Sequence, residues 1–172
     1  MIETQRLFLR PLNLDDAAFY LELVNDPSFI ENIGDKGVRT LKEARDAILS
    51  GPMSMQHTLG YSLMLVQRKN DGAAIGLCGL IKRDSLPDTD IGYAYLPAFW
   101  GVGYAYEAAA GVVEFARDTI GLKRLLGIVS PSNVASNQLL TKLGLRFIET
   151  TVLQGETRST NLYQMEFPPR HS

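Results

Sequence analysis

Apolar positions recur along the chain with two periods, and the switches between them mark out its elements. Arg6-Leu7-Phe8-Leu9-Arg10-Pro11-Leu12 reads as a strand stopped near Pro11, since proline cannot donate to a ladder. Asn13-Leu14-Asp15-Asp16 supplies caps for a helix through Ala17, Tyr20, Leu21 and Val24, ended by Asn25-Asp26-Pro27. Residues 29–39 read as loop or a short helix. Thr40 caps a second helix with apolar positions at Leu41, Ala44, Ala47 and Ile48, closed by Gly51-Pro52.

From Gly60 the period shortens to that of strands. Residues 61–66 and 74–81 flank Asn70-Asp71-Gly72, a hairpin signal, and residues 90–96 form a third long strand. Beyond Pro97 and a glycine-rich turn, Ala105, Ala108, Ala109, Val112 and Ala116 keep the helical period in the longest helix, residues 102–119. Gly121 closes it. Residues 124–129 read as a buried strand, and Pro131-Ser132-Asn133 opens a helix that Gly144 ends. Residues 147–153 and 161–167 are two terminal strands around Gly155. The order β-α-α-β-β-β-α-β-α-β-β describes one mixed α/β (α+β) domain spanning residues 1–172.

Length and composition narrow the class. At 172 residues the chain holds one sizeable core and is too short for two ordinary domains. A hydrophobic share of 45% against 21% charged excludes disorder. The 17 basic and 19 acidic residues leave a net charge of -2, so no net positive field gathers nucleic acid or an anionic membrane. One cysteine excludes an internal disulfide framework and fits a reducing compartment. No run approaches the ~20 apolar residues of a spanning helix, and residues 1–6 lack an apolar signal region. The expectation is a cytoplasmic protein with neither nucleic acid nor membrane as partner.

The most informative segment is Tyr95-Leu96-Pro97-Ala98-Phe99-Trp100-Gly101-Val102-Gly103-Tyr104-Ala105, which runs from a strand end through two glycines into a helix. The first helical N–H groups lack internal partners and the dipole makes that end positive. Absent side chains at Gly101 and Gly103 let a phosphate approach the backbone. A tight turn that needs glycine for geometry alone has the same signature. A dinucleotide fingerprint fails, because it needs Gly or Ala where Tyr106 stands and an acid near Gly127-Ile128-Val129-Ser130. A P-loop fails for want of Gly-Lys-Ser/Thr.

Trp100-Gly101-Val102-Gly103-Tyr104-Ala105 resembles the diphosphate loop of the GNAT acetyltransferase superfamily, normally Gln/Arg-x-x-Gly-x-Gly/Ala, with Trp100 at the Gln/Arg position. That departure is common in the RimJ/RimL branch of ribosomal-protein N-terminal acetyltransferases. Thr4-Gln5-Arg6-Leu7-Phe8-Leu9-Arg10-Pro11, Ile75-Gly76-Leu77-Cys78-Gly79-Leu80 and Asp90-Ile91-Gly92-Tyr93 are similar to that branch too. So are Tyr104-Ala105-Tyr106-Glu107-Ala108 and Asn133-x-x-Ser136 followed by Lys142-Leu143-Gly144, all in order over nearly the whole chain.

The resemblance implies a central, mostly antiparallel twisted sheet flanked by helices, whose third long strand splays from its neighbour around a bulge. It implies acetyl-CoA as cosubstrate, no metal, and an amine acceptor, with a protein N-terminus among the acceptors. The pantetheine arm would pair with the backbone of Ala94, Tyr95 and Leu96. The diphosphate would lie on the loop of Trp100, Gly101, Val102, Gly103, Tyr104 and Ala105. Asn133 would face the pantetheine and Ser136 the thioester sulfur. Many superfamily members carry a tyrosine acid seven residues after the Asn; here Leu140 stands there, which leaves Ser136 to hydrogen-bond the departing thiolate. Asp90, beside the expected thioester, would take a proton from the incoming ammonium, directly or through water.

Each of these residues has a plainer account. Tyr93 and Tyr95 fit core packing on one strand face, Asn133 or Ser132 an N-cap, Ser136 an ordinary first turn, and Asp90 a solvated loop acid. Glu107 is explained by the helix dipole and Cys78 by core packing. His57 and His171 stand alone, in a loop and at the terminus, and no metal-ligand spacing exists. Lys82-Arg83 and Lys123-Arg124 read as solvated charge pairs, one of which could meet the 3′-phosphate of CoA. The acceptor pocket is expected from residues 28–39 and 153–159, whose Glu31, Asp35, Lys36, Arg39, Glu156 and Arg158 name no acceptor by charge. An α-amine, with a pKa near ~7.7–8.0, is more readily neutral than lysine near ~10.4 and is favoured. The rival class is a non-catalytic acyl-CoA-binding or interaction module, kept open by the missing tyrosine at 140.

Overall fold

A computed structural model describes residues 1–169. Its strands are β1 (Ile2–Glu3), β2 (Leu7–Pro11), β3 (Leu63–Arg68), β4 (Ala74–Ile81), β5 (Asp90–Tyr95), β6 (Arg124–Val129), β7 (Arg146–Thr151) and β8 (Thr160–Glu166). Its helices are α1 (Ala17–Asn25), α2 (Pro27–Asn32), α3 (Leu41–Ile48), α4 (Ser54–Leu59), α5 (Tyr104–Phe115) and α6 (Val134–Leu143). The strands form one sheet in the order β1-β2-β3-β4-β5-β6-β8-β7. Every neighbouring pair is antiparallel except β5 and β6.

Helices cover both faces. Leu7, Leu9, Val66, Cys78, Leu80 and Ile91 pack with Ala108 and Val112 of α5, Ala116 just beyond it and Leu140 of α6 on one side. Leu65 and Leu77 pack with Leu23, Val24, Phe29, Ala44 and Ile48 from α1 to α3 on the other. No described helix is long and apolar enough to cross a membrane.

Local chemistry explains most boundaries. Asn13 and Asp16 form a reciprocal capping box ahead of α1, and the Thr40 hydroxyl accepts from the Glu43 N–H at 3.1 Å to start α3. The expected stop at Gly51-Pro52 does not occur. Residues 49–53 widen into a π turn that absorbs the missing N–H of Pro52, and the helix continues as α4 to Gly60. His57, expected in a loop, therefore lies on α4, while His171 falls outside the described residues. Asp26 both ends α1 and caps α2, whose first residue is Pro27.

The parallel pair is short. Only Asp90↔Leu126 and Ile91↔Gly127 are in register, so the two strands part beyond Ile91 and Gly127. The splay needs no bulge in β5: its register with β4 is unbroken from Ile81↔Asp90 to Gly76↔Tyr95.

Candidate active site

Backbone direction decides what the opened gap offers. The Thr89 carbonyl accepts from the Leu126 N–H at 2.9 Å on the β6 side, and the Leu96 N–H donates to the Ile75 carbonyl at 3.1 Å on the β4 side. Alternation along an unbulged strand then turns the amides and carbonyls of Tyr93 and Tyr95 toward the gap. Of the three residues expected to offer main-chain contacts, Tyr95 does face it. Ala94 and Leu96 turn their backbones to β4, and Tyr93 takes their place. The Tyr95 ring lies over Gly76, where a Cβ would come within 2.4 Å of Cδ1, so its side chain is committed to the core. Its hydroxyl is buried beside the Cys78 thiol. Burial also pushes the Cys78 thiol up to about 12, which keeps it an inert core residue.

At its far end β5 leads through Gly101 (φ +78) and Gly103 (φ +85) into α5, two turns that only glycine adopts without strain. The internal ladder of α5 begins with the Glu107 N–H on the Gly103 carbonyl at 3.1 Å, so the amides just ahead are left without helical partners. Gly101, Val102 and Gly103 are exposed. The Trp100 indole N–H turns back onto the Tyr95 carbonyl at 2.9 Å, linking loop to strand end.

One cation reaches this loop that sequence reading did not single out. Arg6 donates from Nη1 to the Val102 carbonyl at 3.0 Å, and its guanidinium lies 4.5 Å over the Tyr104 ring. Glu107 holds it there, accepting from Arg6 Nε at 2.7 Å, from the Arg6 N–H at 2.8 Å and from the Thr4 hydroxyl at 2.5 Å. Burial works to raise the Glu107 pKa, but these donors outweigh it and hold the carboxyl below its ordinary value. Lys82-Arg83 and Arg124 instead lie at the opposite ends of the strands. Arg124 bridges Asp88 and Glu166, and Arg83 pairs with Asp90; Lys82, Lys123 and Arg124 are exposed, as expected of solvated charge pairs, and Arg83 is half-buried.

Beside the gap, Asn133 caps α6 by accepting from the Ser136 N–H at 3.2 Å. The Ser136 hydroxyl lies 2.7 Å from the Tyr93 phenol. Asn137 ties the same turn down, accepting from Tyr163 at 2.7 Å and Asn161 at 2.9 Å and donating to the Ser130 and Asn133 carbonyls. Leu140 is buried, and a Cβ on Gly127 would meet both its methyls at 3.1 Å, which leaves a longer side chain no room there.

Asp90 is not a solvated loop acid. It is fully buried, with Oδ1 accepting from Arg83 Nε at 3.0 Å and Oδ2 without a hydrogen-bond partner among the described residues. Burial raises its pKa, opposed by Arg83. The two loops expected around the acceptor do meet, since Arg158 Nη1 donates to the Glu31 carbonyl at 3.0 Å. Desolvation and then Arg83, the arginine that pairs with Asp90, push the Lys36 ammonium down, with Glu156 opposing.

Residues 6–146 match the family model described as an acetyltransferase (GNAT) domain. The chain belongs to the GNAT acetyltransferase family. Bacillus subtilis YoaA, an uncharacterized N-acetyltransferase, is 27% identical over 98% of this chain and 97% of its own. An acetyltransferase structure from Agrobacterium tumefaciens superposes with a TM-score of 0.81 at 23% identity, covering 96% of this chain and 94% of that one. RimL, a ribosomal-protein α-N-acetyltransferase solved with coenzyme A, gives 0.78 at 18% identity over 95% of both chains. As a GNAT acetyltransferase, the protein uses acetyl-CoA as its donor. The splayed strands and the free amides ahead of α5 fit that donor, since one opens strand backbone to an extended arm and the other offers donors to phosphate.

Proposed function

We propose that this GNAT enzyme acetylates an α-amine, of a peptide or a small amino compound, after the manner of the RimJ/RimL branch. The buried Asp90 carboxyl carries the reading. Its partnerless Oδ2 and raised pKa suit a base for an ammonium that titrates near ~7.7–8.0, and suit lysine near ~10.4 much less. Arg83 holds Oδ1 and so leaves Oδ2 as the proton acceptor, either directly or through one water.

In this reading the diphosphate of acetyl-CoA takes the amides of residues 101–105, with Arg6 adjoining them. Tyr93 and Tyr95 pair with the pantetheine arm through their backbones. Asn133 keeps its amide nitrogen for the same arm while its oxygen caps α6. Ser136 donates a hydrogen bond to the sulfur as the C–S bond breaks. The likeness to RimL supports the acceptor class. An acetyl-transfer screen over peptides with free N-termini, lysine peptides with blocked N-termini, polyamines and small amino compounds tests it by mass spectrometry. The expected products carry α-acetyl groups; ε-acetylation alone, with no α-amine turnover, would overturn the assignment.

A further inference from the structure

We propose that Tyr93 is a positioning residue for the departing sulfur, its phenol fixing the Ser136 hydroxyl so that the serine hydrogen points into the β5/β6 gap. The inference rests on the reading above that the thioester lies in that gap.

Tyr93 sits just past the last β5/β6 pair, Ile91↔Gly127, where the strands begin to part. Its phenol oxygen approaches Ser136 Oγ at 2.7 Å and the Ser136 carbonyl at 3.4 Å. Both contacts join the strand to the first turn of α6 across 43 residues of sequence. The serine has no other side-chain partner among the described residues, and its N–H is spent on Asn133.

A phenol carries one hydrogen, and a serine hydroxyl one hydrogen and two lone pairs. When Tyr93 donates to Ser136 Oγ, the serine hydrogen is left without a protein acceptor. Burial pushes the Tyr93 phenol well above its ordinary pKa, so it stays protonated and remains a donor at every working pH. Asn137, pinned by four hydrogen bonds one residue along α6, keeps the turn from rotating away.

The arrangement also answers the missing tyrosine at 140. Leu140 packs onto Gly127, so no phenol on α6 can approach the gap from there, and Tyr93 brings one from the strand to the first turn of α6. In the transfer the amine nitrogen forms the new C–N bond, and the C–S bond breaks with its electron pair left on sulfur. Ser136 meets that charge with a hydrogen bond and gives up no proton. The ammonium gives its first proton to the Asp90 side of β5 before it attacks, and the nitrogen gives up a second to solvent as the amide forms and the thiolate leaves.

The test is a double-mutant cycle on kcat at saturating acetyl-CoA, with CoA affinity by calorimetry and folding by thermal melting. Tyr93→Phe is expected to lower kcat about 10-fold in the wild type, roughly the effect of one hydrogen bond. In Ser136→Ala it should change kcat less than about 2-fold, with CoA affinity and melting unchanged. An equal loss in both backgrounds, or no loss in the wild type, overturns the proposal. An isotope-edited NMR titration with CoA separates this from failure of the underlying reading. If CoA shifts the Tyr93 amide and the cycle is additive, only the positioning role fails. If the Tyr93 amide does not respond, the gap is not the cofactor site and both fail.

Discussion

At its C-terminal end β5 leaves backbone groups facing a gap and passes the chain to two glycines at positive φ, whereas at its N-terminal end it is paired on both sides and holds a buried carboxyl. In the proposed reading the first end binds through main chain, which any sequence of suitable shape can supply. In the same reading the second acts through side chains, Asp90 and Arg83, brought together by the eight-residue loop 82–89. A cofactor common to a whole family suits the first kind of site, and an acceptor that differs between members suits the second. The contrast predicts that damage at the two ends separates into different observables.

The largest effect is expected at the closed end. Asp90→Asn keeps the shape, removes the proton acceptor and should lower kcat by about 10²–10⁴-fold with CoA affinity unchanged. The loss should shrink as pH rises and the amine becomes neutral unaided. The wild-type acidic limb should lie above the ordinary carboxylate range, because burial raises the Asp90 pKa. Stability carries the same signature. The folded chain holds the extra proton between the unfolded and folded pKa values, so wild-type stability falls as pH rises through that window and the Asn variant's does not. A pH–rate profile with parallel melts checks both. Wild-type kcat along the acidic limb of the variant would assign the proton to a water chain instead.

At the open end the expected effect is smaller and lies in binding. A Cβ on Gly103 would come within 3.3 Å of Arg6 Nη2 at a φ of +85. Gly103→Asp therefore strains the turn and sets a carboxylate against Arg6, lowering CoA affinity by at least about 10-fold, the scale of a lost charged hydrogen bond. Calorimetry on the folded variant decides it, and undiminished affinity would take the diphosphate off this loop.

The smallest expected change separates the two accounts of α6. Leu140→Tyr, which sets a phenol where the family resemblance expects one, should overpack the site against Gly127 and cost about 1–3 kcal/mol of stability without raising kcat. Thermal denaturation and initial rates test it together. A stable and faster variant would mean that α6 has room for a phenol.

How much of this was legible depended on how local the cause was. The hairpin at Asn70-Asp71-Gly72, the cap at Thr40 and the glycine loop before α5 are written in neighbouring residues and were readable from them. Helix α4 was hidden because Pro52 reads as a stop, and only the π turn around it lets the helix run on. The two-residue β1 exists through pairing with β2, which no local pattern announces. Arg6 reaches the α5 loop only because Glu107, 101 residues away, holds it. Tyr93 looked like core packing because its partner lies on another element, and Asp90 looked solvated because its loop is polar. The alternation of strand backbones could have pointed to Tyr93 over Ala94 and Leu96, had the expected bulge not obscured it.

The central claim is that the opened half of β5 and the start of α5 form one continuous cofactor site. Titrating isotope-labelled protein with CoA and following every backbone amide tests it most directly. The account predicts the largest shifts at Gly101, Val102, Gly103, Tyr104 and Ala105 and at Tyr93 and Tyr95, with Ala94, Leu96 and the Asp90 end little changed. Shifts gathered instead around Arg117 and Arg146, in the groove between α5, α6 and β8, would contradict it.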